Sequence, residues 1–136
     1  MPVTNIAPDL DGVHFKPVLL TAAATNSATN SIPARAISVV VTGVTTNADD
    51  WITLPSLSSV PNGHRLVIVC SAAANFELRT PASSAEEINS EDCDGTKEYL
   101  CTDTQIVEVV KINNTIGWMA HGYSAIGAVV TAVVPD

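Results

Sequence analysis

The sequence has few basic residues. Six Lys and Arg stand against fourteen Asp and Glu, which gives a formal net charge of −8. A surface that binds nucleic acid needs clustered Lys and Arg to neutralise phosphates, so this balance excludes the nucleic-acid-binding classes. The same negative charge disfavours docking on anionic membranes. We therefore expect neither nucleic acid nor a membrane among the partners.

Aromatic residues and long apolar runs are also scarce. Phe, Trp and Tyr make up 4% of the chain, which is too little to line a typical sugar-stacking cleft. The longest apolar run, Ala125–Val134, is about half the length that crosses a bilayer. The first twenty residues lack the basic start and unbroken apolar core of a signal peptide, so we expect no export.

Motifs with a specific chemistry are missing as well. The sequence contains no nucleophile elbow, no phosphate-binding loop and no dinucleotide fingerprint, and His14, His64 and His121 belong to no metal-ligand pattern. We predict a protein that is not an enzyme, without catalytic residues, cofactor or metal. The acidic run Glu86–Asp94 leaves a cation site open, although its spacing fits no EF-hand loop.

The chain has three cysteines: Cys70, Cys93 and Cys101. An odd number without a signal peptide indicates free thiols rather than a disulfide framework. Cys70 ends an apolar run and is predicted to be a small core residue. A bridge between Cys93 and Cys101, which flank the turn at Asp94-Gly95, stays open.

Short runs of Val, Ile and Thr recur between turn residues from Ile37 onward. No stretch of eleven or more residues shows a sustained helical period, so we predict an all-β domain over residues 36–136, built as a single β-sandwich or jelly roll. The predicted strands are Ile37–Val44, Trp51–Leu54, Arg65–Cys70, Phe76–Arg79, Glu98–Thr102, Gln105–Ile112, Gly117–His121 and Ala125–Val133.

Several of these strands are apolar on consecutive residues, as in Val39–Val41 and Leu66–Val69. A strand with one face in water should alternate between apolar and polar residues, so both faces of these strands are expected to be covered. In a domain of this size, a second copy of the chain can supply the second cover. We predict that the core or an interface between subunits contains Trp51, Trp118, Val129 and Val130.

Residues 1–35 differ from the rest because they combine recurring Pro with small polar residues. We predict an extended N-terminal arm whose one apolar island docks on a partner protein or a neighbouring subunit. An edge strand of the same domain is the alternative, since Pro is tolerated at sheet edges. The island contains Val13, Phe15, Val18, Leu19 and Leu20.

Four segments, in this order, resemble a small all-β domain of tailed-bacteriophage virions. In such domains a strand ending in Leu-Pro leads to a Gly-led apolar strand, a segment similar to NFELRTP, a Gly-containing loop and a strand closed by Gly-Trp. The segments are DDWITLP (Asp49–Pro55), NGHRLVIVCSAAANFELRTP (Asn62–Pro81), EINSEDCDGTKEYL (Glu87–Leu100) and VEVVKINNTIGWMAHG (Val107–Gly122).

The resemblance implies a structural role in the virion. Related domains occur in head decoration (cement) proteins, head fibres and tail-fibre tips, and such decoration proteins are typically homotrimers that clamp capsid subunits from outside. We expect a homotrimeric capsid decoration protein that binds the major capsid protein and stabilises the head, assembled in the host cytoplasm. The alternative is a tail-fibre or head-fibre tip that binds a host receptor. A bacterial enzyme or carbohydrate-binding domain is a third possibility.

Overall fold

The computed structural model describes residues 16–47, 49–95, 97–124, 129–130 and 134–135, and the regular structure of these residues is almost entirely β-strand. The helical element among them is a short 3-10 helix, Leu57–Ser59. The predicted all-β class is confirmed. The strands are β1 Val18–Ala22, β2 Ser38–Val44, β3 Trp51–Thr53, β4 Arg65–Cys70, β5 Phe76–Arg79, β6 Glu87–Ile88, β7 Glu91–Asp92, β8 Lys97–Cys101, β9 Ile106–Asn113, β10 Gly117–Tyr123, β11 Val129–Val130 and β12 Val134–Pro135.

The predicted strand positions agree with the structure wherever a long β-branched run is bounded by turn residues. β4 and β5 have the predicted ends, and β2, β3, β8, β9 and β10 differ from prediction by one or two residues at an end. The strand predicted over Ala125–Val133 falls mostly outside the described residues, which contain only β11 from that range. Gly63 has a φ of 81°, as the predicted Asn-Gly turn requires.

The described strands form two sheets. The first sheet has the order β1-β2-β4-β9-β10-β6-β7, with β11 also paired to β10, and the second has the order β12-β8-β5-β3. Buried side chains from both sheets belong to one hydrophobic cluster, with Val39, Ile68 and Val107 contributed by the first sheet and Ile52 and Leu78 by the second. The core therefore lies between the sheets.

The chain moves from one sheet to the other and back as it advances. β2 lies in the first sheet and β3 in the second, after which β4 returns to pair with β2 and β5 returns to pair with β3. Both pairings are parallel, which is the arrangement of two successive coils of a β-solenoid. β1 adds a further parallel strand beside β2, and Ser31 forms a parallel bridge with Thr53.

The predicted β-sandwich or jelly-roll topology is not confirmed. A jelly roll is built from antiparallel Greek-key pairs, whereas the pairs β1–β2, β2–β4 and β3–β5 are parallel. Antiparallel pairs join the coils to β8, β9 and β10. Strand composition does not specify which strands become neighbours, so a short solenoid and a sandwich share the same pattern of apolar runs.

Residues 16–35 form part of this domain. β1 is an edge strand of the first sheet, with Leu20 buried in the core, and Asn30 and Ile32 further along the segment are also buried. The prediction of an arm separate from the domain is therefore wrong for this part of the chain, and the edge-strand alternative describes it. Val13 and Phe15 lie outside the described residues.

The loop after β1 is held in place by Asn30. Its side-chain amide donates hydrogen bonds to the carbonyl oxygens of Ala23, Thr25 and Trp51 at 3.2, 3.0 and 3.1 Å. A buried amide with several backbone partners satisfies groups that would otherwise be orphaned. This explains why a segment of small polar residues has a defined path against the second sheet.

Replacing Gly117 by Ala should destabilise the fold much more than the same change at Gly63. The two glycines have φ values of +82° and +81°, but a Cβ on Gly117 would lie 2.5 Å from the Glu87 carbonyl oxygen, while nothing lies within 4 Å at Gly63. The left-handed conformation alone costs Ala about 1–2 kcal/mol. We expect a loss of that size for Gly63→Ala and a clearly larger one for Gly117→Ala in urea denaturation. Equal losses would contradict the close approach.

Candidate interaction surface

An aligned row of side chains crosses the outer face of the first sheet. The register pairs Leu19 with Val40, Val40 with Val69, Val69 with Ile106, and Ile106 with Tyr123. Since side chains alternate across a strand, these residues lie opposite the buried ones that precede or follow them. The row spans β1, β2, β4, β9 and β10 without a charged group.

The rows beside it mix apolar and polar side chains. The second row contains Ser38, Val67, Glu108 and His121, and in the third Val110 lies between Arg65 and Met119. Arg65 and Glu108 form an ion pair of 2.8 Å with each other, so the two charges compensate locally. We call the three rows together the outer face.

Several large side chains of the outer face are open to solvent. Leu19 is 66% exposed, Ile106 46% and Met119 41%. A contiguous apolar patch of this kind on a single chain indicates a surface that contacts another molecule. The consecutive apolar residues noted in the sequence therefore divide between the core and the outer face.

The predicted contact and interface residues separate in the structure. Val18 is half-buried against the core, Leu20 is in the core, and Leu19 lies on the outer face. Trp118 is fully buried, with its ring edge-on to His64 at 6.4 Å. Of the described residues of the apolar island, Leu19 belongs to the candidate surface. Trp118, predicted for the core or an interface between subunits, belongs to the core.

Val129 and Val130 form β11, which pairs with Tyr123 and Gly122 of β10. A backbone position beside β10 places this strand next to the end of the charge-free row. The structure does not describe the side chains of these two valines. Their predicted place in the core or in a trimer interface therefore stays a prediction.

Trp51 lies under a cation on the second sheet. The Arg79 guanidinium carbon is 4.2 Å from the Trp51 ring centroid. The same guanidinium contacts two buried carboxylates, with Nη2 at 2.5 Å from Glu77 and 3.2 Å from Glu98. Burial raises the pKa of Glu77 to about 7, against the lowering effect of Arg79. This cluster ties β3, β5 and β8 together.

A second buried cation holds the 3-10 helix. The Lys111 ammonium is buried and donates to the carbonyl oxygens of Leu57 and Val60 at 2.5 and 2.7 Å. Glu86 accepts the Leu57 N–H at 3.0 Å, and burial raises the pKa of this carboxyl. Both side chains hold the same short helix, because Lys111 donates to carbonyl oxygens at the helix and Glu86 accepts from its first N–H.

A polar cleft of about 240 Å³ lies beside Glu86. One Glu86 oxygen, Oε2, is buried there without a hydrogen-bond partner among the described residues. Hydroxyl, amide and carboxyl side chains make up the polar part of the lining, which gives the cleft hydrogen-bonding capacity. The polar lining residues include Ser58, Ser84, Glu87, Asn114 and Thr115.

The acidic run Glu86–Asp94 does not bring its carboxylates together. Glu91 pairs with Lys97, and Asp94 accepts the Ser83 N–H at 3.2 Å. Within the described part of the chain, no group of three or more His, Cys, Asp or Glu is placed to hold a metal ion. The run instead consists of separate local contacts that the linear spacing did not reveal.

The three cysteines are free and buried. The Cys101 thiol is hydrogen-bonded with Cys70, and burial raises its pKa well above the ordinary value. Burial likewise raises the pKa of Cys93 to about 11. The bridge between Cys93 and Cys101 that the turn left open is therefore not formed, and Cys70 is a core residue as predicted.

No protein-family model matches the chain, and no curated protein matches it. Among the described residues, no helix combines the length and apolar character needed to cross a bilayer.

The folded state should lose stability as the pH rises from 4.5 toward 7. Folded Glu77 keeps its proton up to about pH 7, whereas the unfolded carboxyl releases it near 4.5. The folded state then binds more protons in this window, so raising the pH favours unfolding. The fully expressed effect is about 3 kcal/mol at 1.36 kcal/mol per pK unit.

Glu77→Gln should flatten this slope, because Gln carries no titrating proton. Urea denaturation across the same pH window measures it. Glu108→Gln, which removes a carboxylate from an ion pair with the largely exposed Arg65, is the control and should keep the slope. A Glu77→Gln protein with the original slope would show that another group causes it.

Proposed function

We propose that this chain is a structural protein that self-associates through its outer face and acts as a capsid decoration protein on a phage head. The observation that carries the proposal is the charge-free row Leu19, Val40, Val69, Ile106 and Tyr123. Side chains of this kind each contribute about 1.5–3 kcal/mol when fully buried. A second copy provides a surface of the same apolar character.

Self-association is favoured by the low charge of the outer face. Arg65 and Glu108 are already paired with each other, so an interface that covers them buries no lone charge. Closed symmetry is the usual outcome for identical subunits, and the resemblance to decoration proteins makes a homotrimer our choice. The two sheets around one core give a layered subunit, as in the sandwich-like decoration domains that the sequence resembles.

Binding to the capsid is proposed from the resemblance, which implies that the trimer contacts the major capsid protein on the outside of the virion. Leu19 is the most exposed of the large apolar side chains in the described chain, and we assign it to the self-association surface. The role needs no enzymatic activity and no cofactor, and the net charge of −8 opposes nucleic-acid binding.

A fibre tip is the second candidate, and the parallel coils favour it. Coils of a β-solenoid stack on one another and extend a body in one direction. The pairs β2–β4 and β3–β5 form two such coils, and β1 continues the parallel pairing at the edge. A shaft that continues the coils from the β1 edge would leave the polar cleft near Glu86 toward the opposite edge of the first sheet. The cleft would there be available to a host-surface receptor.

Ile106→Asp should weaken self-association, since it places a charge in the middle of the row. Light scattering at micromolar concentration should show a trimer for the original chain and a shift toward monomer for the variant. Ile116→Asp is the matched control, because Ile116 is 44% exposed against 46% for Ile106 but lies in the turn after β9. A monomeric original chain, or equal effects of the two variants, would contradict the proposed interface.

Counting the chain on purified phage particles decides between the two candidates. A decoration protein should be present in hundreds of copies, in a fixed ratio to the major capsid protein. A fibre tip should be present in a few copies at one vertex or at the tail. Quantitative mass spectrometry against the capsid protein gives the ratio, and absence from particles would contradict both.

A further inference from the structure

A groove of about 480 Å³ opens at the edge of the first sheet, beside the start of β1. Its wall is mainly apolar and carries two basic side chains, Lys16 and Arg35, at an exposed rim. The exposed Ile37 extends the apolar surface at its end. The other lining residues are Val18, Pro33, Ala36 and Ser38.

The two basic groups of the groove stand apart from the other cations. Arg65, Arg79 and Lys97 are in ion pairs, and Lys111 is bonded to backbone carbonyls. Among the described residues, Lys16 and Arg35 have no carboxylate partner. In a chain with a net charge of −8, two unpaired cations beside an apolar groove favour an occupant with acidic and apolar groups.

Residues 1–15 have this composition. Asp9 and Asp11 are the acidic side chains of the segment, and Ile6, Leu10 and Val13 supply apolar groups around them. Fifteen extended residues reach roughly 50 Å at 3.3–3.6 Å per residue. A folded domain of this size has a radius of gyration of only about 14 Å, so the segment is long enough to reach an adjacent subunit.

We propose that the groove of one copy receives residues 1–15 of a neighbouring copy, with Asp9 and Asp11 against Lys16 and Arg35. This inference rests on the proposed self-association and names a second contact in the same assembly. Lys16 itself lines the groove. Occupation by the segment of the same copy is the alternative that the experiment below separates from exchange.

Two charge-reversed chains test the exchange. The first carries Arg35→Glu in the groove, and the second carries Asp9→Lys and Asp11→Lys in the segment. Each alone places like charges together, so we expect the concentration for half-dissociation to rise roughly tenfold, in line with the cost of like-charge contacts at an interface. In a mixed trimer two of the three segment–groove contacts join opposite charges, against none in a trimer of either chain alone, so mixed assemblies should form at lower concentrations than either chain requires by itself.

Light scattering of the mixture, with one chain fluorescently labelled, measures the recovery. Lys97→Glu makes the same change in net charge as Arg35→Glu at a residue outside the groove and should leave assembly unchanged. A third chain that carries all three substitutions should also assemble. If the third chain assembles but the mixture assembles no better than its two components, the segment docks in the groove of its own copy and the proposed exchange is overturned.

The outcomes also separate this inference from the proposed function. If the original chain is a trimer and Ile106→Asp disrupts it, but Arg35→Glu and the segment variant assemble normally, only the groove contact is overturned. If the original chain is a monomer, both are overturned together.

Discussion

The parallel stacking of one coil on the next is the constraint on which the other features depend. β4 follows β2 in register, from Ser38 opposite Val67 to Val41 opposite Cys70. Because side chains alternate along each strand, this register sorts every residue of the coil onto the core side or the outer side. A shift by one residue would exchange the buried Val39 and Val41 with the half-exposed Val40, and the charge-free row would disappear.

Buried charges secure the connections that the apolar core cannot hold. Arg79 joins the neighbouring strands β5 and β8 of the second sheet through Glu77 and Glu98, and Lys111 fixes the 3-10 helix against the first sheet. A charge removed from water is favourable only when its donors and acceptors are satisfied. These buried ion pairs and hydrogen bonds therefore specify which strands and which helix are joined. They do not supply most of the free energy of folding.

The sequence predicts the positions of those strands whose amino-acid pattern lies within the strand and its flanking turns. The run Arg65–Cys70 is β-branched and ends at turn residues. Its double-sided apolar character predicts a covered outer face, which stays a prediction. The pairing of β2 with β4 was beyond prediction because it depends on a crossover through the other sheet. β1 was only an alternative, since Pro17 and the small polar residues after Ala22 conceal a five-residue strand.

Trp51 shows that the strand register, in addition to residue type, decides what a side chain contacts. An aromatic residue in a strand is typical of a core or an interface, and the register opposite Glu77 places Trp51 on the side of the second sheet where Arg79 lies. The paired sheet, and not the hydropathy of Trp51, determines its neighbours. The acidic run behaves in the same way, because Glu86 and Asp94 each contact a different backbone group.

The loop fixed by Asn30 has a consequence for how the protein behaves at high concentration. The Thr21 N–H, which faces away from β2, donates to the Thr29 carbonyl oxygen at 3.0 Å, so this loop occupies part of the exposed edge of β1. An uncovered edge strand is a template for endless pairing between chains. By occupying the Thr21 N–H, the loop withdraws this backbone donor from pairing with the edge strand of another chain.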